Sequence, residues 1–173
     1  MKNKSFIIKL KYKVSTNKTE KLRIFGEIFV KFSCIEWKII YRNKKYQLKE
    51  FLDDIAKDYK KNDFISIKLI ITNKIVNFSY MFVDCYSLIS IVNKSNFHSP
   101  KIIDMKFMFL GCNSLISLCD TSNWNTSKVK EMQGLFFKCI SLKSLPDISK
   151  WNTFMMIIHE VMYHEQIIVL HHH

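Results

Sequence analysis

A chain of 173 residues, 48% hydrophobic and 24% charged, can hold one domain or two small ones and has nothing of a disordered composition. Its net charge of +12 invites a polyanion partner, but only Arg23 and Arg42 among 27 basic residues carry the planar guanidinium preferred for phosphate and base-edge readout. Three glycines cannot assemble a Walker loop or a dinucleotide fingerprint, and no apolar run approaches the roughly 18 residues of a membrane-spanning helix.

The amino-terminal run Phe6–Ile8 is cut by Lys9 and falls short of the about 7 to 15 apolar residues of a signal peptide, so the compartment stays open. Residues 1–74 read as a small α+β cap. Alternation predicts a strand over Phe6–Val14, a second extended run over Leu22–Phe32 around Gly26, and a hairpin of Trp37–Tyr41 with Lys45–Leu48 about Arg42–Lys44. A helix is expected next, because Leu48, Phe51, Leu52, Ile55 and Tyr59 recur at helical spacing. Asp53, Asp54 and Asp58 then lie on its wet face as solvated charges rather than as acid–base or metal groups. Residues 1–74 hold 19 Lys and Arg against 8 Asp and Glu, while residues 75–173 hold 8 against 7. The charge excess belongs to the cap, either as a solvated surface or as a polyanion site.

Phe64–Ile71 is expected to be a joining strand. Shifted by 27 positions, Phe64 aligns with Ile91, Ile70 with Phe97 and Thr72 with Ser99, which suggests half a repeat capping the first coil. Residues 75–153 are one 27-residue unit written three times. Cys85, Cys112 and Cys139 share a column, as do Phe82, Phe109 and Phe136, and Leu88, Leu115 and Leu142. Such a unit cannot bury its own apolar face, so neighbours must stack into a continuous core. Val129, Met132, Leu135 and Phe136 suit a helical turn, and Leu142 and Leu145 flank a short strand. Asp, Ser, Asn and Thr between them suit turns whose side chains bond backbone amides.

The segments MFLGCNSLISLCDTSNWNTSKV and LFFKCISLKSLPDISKWNT resemble the BspA-like leucine-rich-repeat surface proteins. The resemblance implies a parallel solenoid with a short strand at each S-L-x-S-L and a helix or turn at each M-F-x-x-C, and a cell-surface, adhesive role without a shared catalytic site. Together these readings give an α/β repeat fold: a cap over 1–74, three solenoid repeats over 75–153, and a degenerate fourth repeat and tail over 154–173. In that last segment Gln166 replaces the column cysteine, which suggests a piece of a longer array or a tail with its own packing.

The cysteine ladder has the wrong spacing for zinc and is expected to be buried and reduced, and the odd total of five with Cys34 and Cys119 favours a reducing compartment. His98, His159 and His164 have no nucleophile in a local signature, and His171–His173 form a terminal tract. No catalytic, metal or cofactor residue is therefore expected. The expected function is non-enzymatic recognition of a protein or glycan, with polyanion binding through the cap lysines as the alternative. The expected partner face is a row of Ile89, Ile116 and Lys143, with Val92, Cys119 and Pro146 as a second row.

Overall fold

A computed structural model describes residues 5–33, 37–72, 77–93, 102–118 and 126–144. Its regular secondary structure is one open five-stranded sheet with a short helix. The strands are β1 (Ser5–Lys13), β2 (Lys38–Tyr41), β3 (Lys44–Gln47), β4 (Phe64–Thr72) and β5 (Leu88–Asn93), and the helix α1 is Glu27–Ser33. The strand order is β3-β2-β4-β1-β5, and every neighbouring pair is antiparallel.

Alternation does what it predicts in β1, where Ile8, Leu10 and Tyr12 are buried and Lys9, Lys11 and Lys13 face water. The hairpin also forms, with a two-residue turn where three were expected, since Lys44 already pairs with Tyr41. Arg42 and Asn43 both have positive φ, the backbone that a two-residue turn needs to match strand twist.

Two cap elements differ from expectation. The run Leu22–Phe32 is not one strand. After Gly26 the chain closes into α1, beginning with the Val30 N–H to Gly26 C=O bond at 3.0 Å, with Glu27 in the first turn and Lys31 in the last. The helix expected over 48–59 is also absent. Residues 50–52 are spent pairing with 22–24: Ile24 N–H donates to Glu50 C=O and Leu52 N–H to Leu22 C=O, at 2.8 and 2.9 Å. A backbone engaged sideways cannot also make helical bonds, so two 3-10 turns, Leu52–Asp54 and Asp58–Lys61, follow instead. They still bury Leu52 and Tyr59.

The expected parallel solenoid is not seen among the described residues. Segments 27 positions apart meet through isolated parallel bridges, Asn77 to Asp104, Ser90 to Ser117 and Asp104 to Glu131. These are single bridges, and the described residues contain no continuous parallel sheet. Among the described residues the strand expected at each S-L-x-S-L forms only in the first coil, as β5, and it pairs antiparallel with β1. The M-F-x-x-C segments are turns, at 79–84, 106–111 and 133–138, one of the two forms expected there. Each contains two left-handed residues in matching columns: Tyr80, Phe107 and Gly134, then Asp84, Gly111 and Lys138.

The joining strand does not cap the first coil. β4 lies between β2 and β1, one strand removed from β5. The cap is made by Phe25 and Gly26. Phe25 stacks on Phe82 at 5.6 Å and so begins a ladder that continues from Phe82 to Phe109 and from Phe109 to Phe136, each at 5.5 Å. Gly26 N–H donates to Met81 C=O at 2.9 Å, the bond that Phe82 N–H makes to Met108 and Phe109 N–H to Leu135. One buried cluster therefore runs unbroken from β1 to Phe136.

Candidate functional site

The strand side of the coils is shaped by a bulge. Lys11 faces Ser90 and Tyr12 faces Leu88, which leaves Ile89 as an extra residue on β5. An alternating strand cannot bury two side chains three positions apart. With the bulge between them, Leu88 and Ile91 are both buried, and this is the physical content of the L-x-x-L spacing. Ile89 is half-buried as a result, and its C=O accepts the Ile116 N–H at 2.9 Å.

Of the expected face, Ile116 is 43% exposed, Val92 is 44% exposed and Lys143 is exposed. Pro146 and Cys119 lie outside the described residues. Ile89 and Ile116 are adjacent through the backbone. Val92 belongs elsewhere: it sits opposite Lys9 on the outer face of the sheet. Tyr86 and Ile140, in one column 54 positions apart, are exposed apolar residues the sequence reading did not single out. Their turn setting, next to the column cysteine in each coil, was the available signal.

Beneath this side lies the thiol ladder. Cys85 and Cys112 are buried, Cys139 is partly buried, and all three are free thiols. The Cys112 S–H donates to Phe82 C=O and the Cys139 S–H to Phe109 C=O, both at 3.1 Å. Each thiol thus ties its coil to the carbonyl of the preceding one, which explains why a small apolar residue with a weak donor recurs. Burial pushes the Cys85 and Cys112 thiols well above their ordinary range, and burial likewise raises Cys139 to about 12. These thiols are held protonated and packed, the state of structural rather than nucleophilic cysteine.

The cap carboxylates are not a uniform solvated run. Asp53 accepts the Leu22 N–H at 2.9 Å and the Tyr59 hydroxyl at 2.7 Å on one oxygen, and pairs with Lys60 Nζ at 3.3 Å on the other. Burial pulls its pKa up, but the bonds from Tyr59, Leu22 and Lys60 outweigh it and hold the carboxyl below its ordinary range. Lys60 also donates to Lys18 C=O and Glu20 C=O, clipping the loop between β1 and α1. A shallow depression between Lys21, Leu22, Tyr59 and Ser87 borders this cluster. Asp58 pairs with Arg42, while Asp54 is exposed. Turn-forming side chains in the repeats act as expected: Asn77 Oδ1 accepts the Ser79 N–H at 2.7 Å, and Asp104 Oδ1 the Lys106 N–H at 3.0 Å.

Among the described residues no group of three or more His, Cys, Asp or Glu is placed to hold a metal ion, and no helix is long and apolar enough to cross a membrane. What the described residues define is a mostly antiparallel, open five-stranded sheet with one short helix, against which segments 27 positions apart pack through backbone and thiol bonds. The model of the family described as "Mycoplasma protein of unknown function, DUF285" matches residues 50–167, and the chain belongs to that family. Comparison with curated proteins and with solved structures gave no match.

Proposed function

We propose that the chain is a recognition module of the BspA-like leucine-rich-repeat surface type, a short solenoid that binds a protein or glycan partner without performing chemistry on it. The observation that carries this reading is the inter-coil contact at Ile89 and Ile116, where stacked coils leave an apolar side chain 43% exposed on a rigid backbone step. Lys143, in the same column one coil further, supplies a charged margin to that row. Rigid, shallow, mixed apolar and polar surfaces serve binding, and solenoids characteristically present them along stacked units.

Three coils at about 4.8 Å per step span roughly 15 Å, less than a standard interface needs, so affinity from this row alone is weak and grows with copy number. The test is capture from cell-surface extract and on a glycan array by the immobilised chain, compared with a folded Ile116→Asp, Lys143→Glu variant. Loss of the same bound species in the variant is expected. Undiminished capture removes this row from consideration.

A further inference from the structure

The five strands contain seven lysines and no aspartate or glutamate. Antiparallel partners share a face, so the register decides which side each lysine occupies. One row crosses the whole sheet as Lys45, Ile40, Lys68, Lys9 and Val92. A second runs Gln47, Lys38, Ile70 and Ile7, and a third Ser66, Lys11 and Ser90. Phe64 faces Lys13 at the end. The face opposite the core thus carries Lys9, Lys11, Lys13, Lys38, Lys45 and Lys68, none of them in an ion pair among the described residues. Exposed apolar side chains, Ile7, Phe64 and Val92, lie among them.

We infer that this outer sheet face docks on an anionic lipid bilayer, with the lysines at headgroup level and the interleaved apolar side chains against the interface. Charge complementarity selects the partner, because six unpaired cations on one side without a carboxylate attract a negative surface within a Debye length. Lysine suits a headgroup layer, where its apolar stem lies along the interface and its ammonium stays wet. Nucleic acid fits this face less well. The face has no arginine, and its one exposed aromatic, Phe64, already carries the Lys11 ammonium 4.7 Å over its ring, so there is no free stacking platform. A duplex major groove admits a helix or a two-stranded ribbon, not the middle of a five-stranded sheet. Sheet twist of about 20 to 25° per strand turns the outer strands away from a plane, so β4 and β1, bearing Lys68 and Lys9, make first contact.

The inference is independent of the partner row on the coils and is tested with the full chain. Co-sedimentation with phosphatidylglycerol-containing vesicles should exceed that with pure phosphatidylcholine vesicles and fall steeply as salt rises. A Lys9→Glu, Lys68→Glu variant should partition at least about tenfold more weakly. A Lys128→Glu, Lys130→Glu variant carries the same change in net charge on the repeats and should bind like the parent. Equal binding to neutral and anionic vesicles overturns the inference, as does an equal loss in both variants. Tighter binding to a single-stranded oligonucleotide than to the anionic vesicles assigns the face to nucleic acid instead and likewise overturns it.

Discussion

Cys112 and Cys139 each bond a carbonyl of the preceding coil, yet they sit in different surroundings: Cys85 and Cys112 are fully enclosed, whereas Cys139 is partly open. Thiol chemistry requires the thiolate, so protection follows burial. In the native chain at pH 8, thiol-reactive reagent followed by mass mapping should modify Cys139 first among the three ladder cysteines. Cys85 and Cys112 should react only on the timescale of unfolding. Rapid labelling of Cys112 with the sheet intact would contradict the enclosed ladder. The ladder's column was visible in the sequence through its strict spacing. Its reason was not, because an S–H reaching back to a carbonyl thirty positions earlier depends on how far one coil is displaced along the next.

At the scale of the element, the segment 48–61 shows how a correct pattern yields a wrong shape. Leu48, Leu52 and Tyr59 are buried as helical spacing required, but the pairing of 50–52 with 22–24 takes the backbone that a helix would use. No local pattern reveals a partner thirty residues away. Asp53 joins that pairing to the turn that follows, through Leu22, Tyr59 and Lys60. Asp53→Ala leaves the Leu22 N–H and Tyr59 hydroxyl unpaired and should cost about 1 to 3 kcal/mol, read from the urea midpoint. Its folded-state pKa lies below the unfolded value of about 3.9. The stabilisation is therefore complete above that value and is lost as pH falls through the folded pKa, so the wild type and Asp53→Asn should converge in stability on acidification. β1, β4 and the hairpin were legible because each alternates cleanly or carries its turn signal. α1 was missed because Ile28, Phe29, Val30 and Phe32 favour strands by propensity, and only packing overrides that preference.

Across the whole molecule, sheet and coils share one core, and Gly26 packs tightly against the first coil. A Cβ there would lie 2.1 Å from the Tyr80 carbonyl oxygen, a backbone atom that cannot swing aside. Gly26→Ala should cost about 3 kcal/mol, a large share of the roughly 5 to 15 kcal/mol that stabilises a domain. Because the core is continuous, hydrogen exchange should quicken together at Leu10 in β1 and at Phe109 in the second coil. Faster exchange confined to the coils would show two independent units. The repeat itself was plain from its columns. That β1, far away in sequence, lies beside the first coil while β4 does not could not be read from an alignment of Phe64 with Ile91, since matching residue types do not fix strand order.

In the turn segments the backbone bonds between coils all run one way. Phe78, Tyr80, Phe82 and Asp84 donate to carbonyls of the second coil, and Met105, Phe107, Phe109 and Gly111 to carbonyls of the third. Elsewhere on the same steps they run the other way: Ser114 N–H donates to Tyr86 C=O, Ile116 to Ile89 and Lys130 to Ile103, and the Cys112 and Cys139 thiols reach back to Phe82 and Phe109. Bonds of opposite sense at separate places on one step act like interleaved teeth, so sliding one coil along its neighbour would break both sets at once, which fixes the offset between them.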